Sequence, residues 1–187
     1  MAKFPNMTLS APLTAADVER LSLPGKQVEL VRGRLVVREP PGSHHGLIAA
    51  NLAYYLSDFA RRRGAGIVFG QDTGFKIAAD PDTVRAPDVA FLSRERVSHV
   101  PARGYAALAP DLLAEIVSPG DAPAELLAKV ADWLAAGTRL VWVIDPERTE
   151  ARIYRKDGSV YVVPASGALD GEDVLPGFVC LLKDVLT

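Results

Sequence analysis

Cysteine occurs once, at Cys180, in a chain of 187 residues. A single thiol cannot form an internal disulfide, and cysteine-rich zinc sites are excluded with it. Long apolar runs are missing too: no stretch approaches the roughly 18–20 residues needed to span a bilayer. The start, Met1-Ala2-Lys3-Phe4-Pro5-Asn6, has no extended apolar segment of the kind a secretory signal carries. A cytoplasmic protein without membrane association is therefore expected. Neither sign of charge is in excess. The formal net charge of −2 leaves no global basic footprint, so tight non-specific binding to nucleic acid does not follow from charge. Repeats, low-complexity linkers and zinc-finger, Walker or dinucleotide fingerprints are absent, and Gly64-Ala65-Gly66 lacks the third glycine of the last. Ser118 is followed by Pro119-Gly120 rather than set in a nucleophile elbow, which argues against a serine hydrolase.

What is present is an ordinary globular balance, 49% apolar and 24% charged residues. The length suits one domain over residues 1–187, with a loosely ordered arm over residues 1–12. Thr14 with Asp17 three residues on reads as a capping box for a short helix ending near Leu23-Pro24-Gly25. Val28–Val31 and Leu35–Arg38 flank Arg32-Gly33-Arg34 as a hairpin. From His45, apolar positions Ile48, Leu52, Tyr55, Leu56 and Phe59 predict an amphipathic helix ending near Arg61-Arg62-Arg63-Gly64. Strands are expected at Gly66–Phe69, Thr73–Ala78, from Asp88, around Glu115, and at Arg139–Asp145, Glu150–Arg155 and Val160–Val163. Asp80-Pro81-Asp82 marks a turn, and a polar loop carries Arg94, Arg96 and Arg103. Asp121 is placed to cap a helix with Pro123 in its first turn and Gly137 past its end. The tail, with Val174, Leu175, Phe178, Val179 and Leu181, is expected to pack back on the domain. Strands outnumber helices without strict alternation. The expected fold is a single α+β domain, a central mixed β-sheet with helices packed on its faces.

Two acidic residues stand in apolar surroundings. Pro87-Asp88 opens Val89-Ala90-Phe91-Leu92, and Glu115 lies inside Leu112–Ser118. An isolated anion in such a segment is costly to bury. It persists by capping a strand end, by pairing with an arginine, or by sharing a positive centre, for which a divalent metal is the obvious choice. Two such residues on neighbouring strands, followed by a helix carrying lysine, favour the metal. Metal-assisted phosphodiester hydrolysis needs hard oxygen ligands, and Asp88, Glu115 and the Ile116 carbonyl can supply them for Mg2+, with Mn2+ as an alternative. An ammonium nearby would stabilise developing phosphate charge and orient the attacking water. Lys129 is the candidate. It stands roughly 100° from the centre of the stripe formed by Leu126, Leu127, Val130, Trp133 and Leu134. From that flank it either reaches over the sheet end or points to solvent.

Val28–Leu35, His45–Leu52, Arg85–Phe91, Leu113–Pro119, Lys129 and Ala136–Pro146 follow one another in an order that resembles a known family. The chain is similar to the Uma-like "putative restriction endonuclease" family, a branch of the PD-(D/E)XK nuclease superfamily, over most of residues 25–163. The resemblance implies a restriction-endonuclease-like fold and Mg2+-dependent cleavage of DNA, with duplex as the expected substrate. It puts Asp88 and Glu115 at the two metal-binding positions. The superfamily lysine usually lies two residues after the second carboxylate, but here that slot is Val117. The family pattern places a lysine in the next helix, and Lys129 matches it.

Glu29 matches the family's early glutamate. It is read either as completing a second metal site or positioning water, or as a hairpin residue paired with Arg32 or Arg34. His45 is read as a phosphate contact or proton carrier, or as the cap of its helix. Arg61-Arg62-Arg63 suits a solvated helix end or a DNA backbone contact. Arg32, Arg34, Arg85, Arg94, Arg96 and Arg103 are further phosphate candidates. A homodimer is suggested by analogy with nuclease-fold proteins that cut two strands. The alternative function is a nuclease-fold module that binds nucleic acid or a protein partner without cleaving.

Overall fold

A computed structural model describes residues 11–21 and 23–187. Of the arm expected over residues 1–12, residues 1–10 lie outside the described residues. Pro12 packs on the first hairpin, where a Cβ at Gly33 would come within 2.3 Å of its own Cβ. With φ of 73° as well, Gly33 is a position only glycine fits.

Helix α1 (Ala15–Glu19) starts at the expected Thr14–Asp17 capping box but stops before Leu21, shorter than the sequence suggests. The hairpin β1 (Gln27–Val31) and β2 (Arg34–Arg38) pairs Leu30 with Leu35. Helix α2 (Ser43–Arg63) begins two residues before His45 and ends on Gly64 in the left-handed region. Then follow β3 (Gly66–Phe69), β4 (Phe75–Ala78), β5 (Thr83–Arg85), β6 (Val89–Ser93) and β7 (Leu112–Ile116). β5 was not legible in the sequence: it is three residues long and follows the Asp80-Pro81-Asp82 turn directly. The polar loop after β6 contains a 3-10 helix over Arg94–His99.

Helix α3 (Pro123–Ala135) has Ala122, not Asp121, at its N-cap. Asp121 instead turns back and accepts the N–H of Ser118 at 2.8 Å, closing the preceding loop. Strands β8 (Leu140–Asp145), β9 (Glu150–Arg155) and β10 (Val160–Pro164) follow. The tail folds into a small pair, β11 (Ala168–Asp170) with β12 (Val179–Leu181), and α4 (Leu182–Leu186). Val174, Leu175 and Phe178 are buried as expected, whereas Val179 and Leu181 face outward.

The central sheet runs β10-β9-β8-β7-β6-β3 and is mixed: β7 and β8 are parallel, joined by the α3 crossover, and every other pair is antiparallel. A second sheet, β2-β1-β5-β4, stands beside it. Alternation sorts the central strands between two cores. Leu112, Ala114 and Ile116 join α2 and the tail on one face; Leu113 joins Val130 and Trp133 of α3 on the other. Glu115 shares its side of β7 with Leu113 and so faces α3, although every residue of β7 is buried. The expected α+β fold with a central mixed sheet is the one observed.

Candidate active site

Five elements converge at one end of the central sheet. Asp88 immediately precedes β6, where Pro87 holds the residue before it extended and ends β5. Its N–H donates to the Ala114 carbonyl at 3.2 Å, and its Oδ2 accepts the N–H of Ile116 at 2.7 Å. The expected neighbours, the chain from Asp88 and the strand of Glu115, therefore do lie side by side. Across the sheet face, Lys129 Nζ donates to Glu115 Oε2 at 2.8 Å. Trp133, one turn further along α3, donates its indole N–H to Glu115 Oε1 at 2.8 Å. The two helix residues are spaced i, i+4 and grip both oxygens of one carboxylate. Lys129 is turned inward, with a side chain only 15% exposed. The member of the expected apolar stripe that turns outward is Leu127, which is exposed.

From the second sheet, Glu29 on β1 brings a third carboxylate. Its partners are not Arg32 or Arg34. Oε2 accepts from Arg85 Nη1 at 2.9 Å, while Oε1 accepts the Ala86 N–H at 2.9 Å and lies 3.2 Å from Lys129 Nζ. Arg85, read from sequence as a phosphate contact, is buried and also grips Asp132. His45 does not cap α2, whose N-cap is Gly42; it is the third residue of the helix. Its Nε2 lies 2.9 Å from Asp88 Oδ1 and its Nδ1 2.9 Å from Ser118 Oγ. Ser118 thus bears on the site by orienting a histidine.

Glu29, His45, Asp88, Glu115, Ser118 and Lys129 line one open cleft of about 1220 Å3, whereas Arg85, Asp132 and Trp133 lie outside its lining. Its lining carries eight carboxylates against three basic side chains, Lys26, Arg38 and Lys129. Burial, reinforced by the charges of Asp88 and Glu29, pushes Glu115 up to about 7, with Lys129 opposing it. Burial also acts against the Lys129 ammonium, but Glu115 and Glu29 outweigh it and raise the group above its ordinary value. Lys129 is therefore a fixed cation and not a base. Glu29 is pushed upward by burial, yet Lys129 and Arg85 prevail and hold it below the usual carboxylate range.

The donor set suits a hard divalent cation. Among the described residues no three His, Cys, Asp or Glu side chains form a ready-made cage. Mg2+ does not require one: it is held through one or two carboxylates with water and substrate phosphate completing the shell. Asp88 and Glu115 offer carboxylate oxygens, and Ile116 lies beside them in the cleft wall. The negative charge of Asp88 and Glu29 adds to burial in lifting Glu115 to about 7. A cation between the carboxylates would relieve it.

Other expected contacts lie elsewhere. Arg61–Arg63 sit at the far end of α2, about 24 Å along the helix from His45 at 1.5 Å per residue. Arg62 pairs there with Asp58, and Arg63 covers the Phe59 ring. Arg96 is tied to Asp111. Arg32, Arg34, Arg94 and Arg103 are exposed but outside the cleft. Trp133 and Asp132 were missed as site residues, and Arg85 was read as a phosphate contact instead of an internal ion-pair partner. Only the indole N–H, a donor that must find a partner when buried, could have signalled one of them.

Residues 15–183 match the family model described as "Uma2: Putative restriction endonuclease". Among solved structures, the crystal structure of "a putative nuclease belonging to DUF820" from Anabaena variabilis superposes with a TM-score of 0.78. It is 19% identical, and the alignment covers 94% of this chain and 98% of that one, a likeness of fold. No curated protein matches the chain.

Proposed function

The chain belongs to the Uma2 "putative restriction endonuclease" family, and on that footing we propose that it is a metal-dependent endonuclease hydrolysing DNA phosphodiester bonds, duplex DNA being the substrate. The observation that carries this reading is the meeting of Lys129 with Glu115 at 2.8 Å beside Asp88, although the usual lysine slot holds Val117. An ammonium supplied from α3 fills the place that a strand lysine would take.

Asp88 and Glu115, with the Ile116 carbonyl, would hold Mg2+ or Mn2+. The ion would polarise the phosphate and acidify a bound water. The protein's own residues supply the rest. Trp133 fixes one oxygen of Glu115, and the Ile116 N–H and His45 fix those of Asp88, so both carboxylates are oriented before substrate arrives. Lys129, permanently charged, stabilises negative charge gathering on the phosphate and orients the attacking water. His45 stands within reach of Asp88 and the cleft, and we assign it proton carriage or phosphate contact. Paired chains, each cutting one strand, would account for duplex cleavage.

The test is cleavage of plasmid, linear and single-stranded DNA by purified protein in Mg2+ or Mn2+. Asp88→Asn and Glu115→Gln are expected to abolish cutting while circular dichroism stays native. Retained cutting in either variant would move the chemistry elsewhere. The acidity of the cleft favours a second reading, a non-cleaving module that takes a basic protein partner. Absence of metal-stimulated cleavage on every substrate would select it.

A further inference from the structure

Resting on the nuclease reading of the same site, we infer that Glu29 is a positioning residue for the Lys129 ammonium, itself anchored by Arg85 and Asp132, and that none of these three touches the cation. Among the described residues, Glu29 already faces two permanent cations, Arg85 and Lys129, whereas Glu115 faces one and Asp88 has only His45 as a basic partner. Oε1 accepts the Ala86 N–H and faces Lys129 Nζ; Oε2 accepts from Arg85. Arg85 turns its remaining donors, Nε and Nη2, onto Asp132 Oδ2 at 3.2 and 2.6 Å. Asp132 is three residues beyond Lys129 on the same helix. The contacts therefore leave α3 at Asp132, cross to β5 at Arg85, pass to β1 at Glu29 and return to α3 at Lys129. The middle of this closed circuit is nearly shut off from water, with the Arg85 and Glu29 side chains 7% and 8% exposed, while Asp132 and Lys129 stand at the margins.

A smaller ring sits inside it. The Ala86 carbonyl accepts from Lys129 Nζ at 3.0 Å while the Ala86 N–H serves Glu29. An ammonium has three protons; Glu115 and Ala86 accept one each, and the Glu29 carboxylate faces the group at 3.2 Å as a charge. Ala86 and Glu29 belong to the anchored side. Glu115 is the carboxylate assigned to the metal, so the proton it holds is the one able to turn toward phosphate or water. A lysine ammonium on a flexible four-carbon stem from a helix backbone needs such a mooring. A lysine two residues after Glu115 on the strand would have been aimed by the strand itself.

Glu29→Gln and Lys129→Met, singly and together, test this by three readouts: Mn2+ affinity by electron paramagnetic resonance, turnover on plasmid with Mg2+, and the Lys129 ammonium proton–nitrogen cross-peak of the metal-free protein, assigned by its loss in Lys129→Met. Glu29→Gln is expected to leave Mn2+ affinity and KM within about 3-fold while kcat falls about 10–100-fold. The double variant should be no slower than Lys129→Met alone, and the cross-peak should vanish into exchange with water. A fall in Mn2+ affinity equal to that of Glu115→Gln would make Glu29 a ligand and overturn the inference. So would unchanged kcat, additive losses, or an unaltered cross-peak. Should Glu29→Gln not fold, Asp132→Asn serves in its place, with kcat and the cross-peak reduced and Mn2+ affinity kept; a wild-type cross-peak and kcat there would be equally fatal. If the wild-type protein cuts nothing, the nuclease reading fails separately, and the cross-peak still decides whether Glu29 holds Lys129.

Discussion

Lys129 illustrates how one side chain acquires a role from its surroundings. On the helix it stands at the flank of the apolar stripe, where lysines ordinarily run to solvent. Here two acceptors, Ala86 and Glu115, and the charges of two carboxylates, Glu115 and Glu29, hold it in the cleft wall. Removing it leaves Glu115 without a counter-ion while Glu29 keeps Arg85, so Lys129→Met tests charge more cleanly than a change to either acid. Turnover is expected to fall about 10²–10³-fold, the usual cost of losing one preorganised electrostatic group. Metal affinity, measured by calorimetry with Mn2+, should hold or rise, because a competing cation has left. A rate equal to wild type would remove Lys129 from the chemistry.

The helix that carries Lys129 is also where reading from sequence and observed packing part company. The period of 3.6 residues correctly located α3 between Pro123 and Gly137, because Pro at N1 and Gly past the end are local signals. It did not set the rotation of the helix. Leu127 was counted in the stripe and is 51% exposed, while Lys129, counted at the margin, points inward. Rotation is chosen by what the helix must meet, and β7 offers α3 a buried carboxylate that attracts Lys129 and the Trp133 N–H over another leucine. Trp133→Phe keeps most of the apolar contact but leaves Glu115 Oε1 without its donor. Chemical denaturation should show a loss of about 1–3 kcal/mol, the cost of an unmatched buried polar group. Leu127→Gln should change stability by less than about 0.5 kcal/mol. A large effect at Leu127 with none at Trp133 would mean the helix is turned the other way.

Taken whole, the molecule sets an excess of negative charge in a cleft between two sheets, and that makes stability depend on pH and metal together. The folded-state value for Glu115, about 7, lies above its ordinary 4.5. Its neutral form therefore favours the fold; that contribution is complete below about pH 4.5 and is lost as pH rises through 7. Glu29, held low, acts in the opposite sense: its contribution is present above its ordinary value and disappears as the solution becomes acid. Metal-free protein should thus lose thermal stability between about pH 4.5 and 7, and Glu115→Gln should flatten that decline. Mg2+ should raise the melting temperature by an amount that grows across the same interval, since it binds the ionised site of the folded chain. A Mg2+ effect independent of pH would detach Glu115 from the metal.

Most strand and helix positions, the mixed sheet and the oddity of Asp88 and Glu115 in apolar runs were legible in the linear chain; β5 and the short elements of the tail were not. Periodicity, turn residues and the cost of burying an anion act over a few neighbours and need no knowledge of the rest. The identity of each charge's partner was not legible. Glu29 and Arg85 lie 56 positions apart and His45 and Asp88 43, and no local rule links them. Those pairings depend on strand register, the turn of α3 about its axis and the placing of one sheet beside the other. All three are settled by packing across the entire core, where each buried charge must find its complement at once.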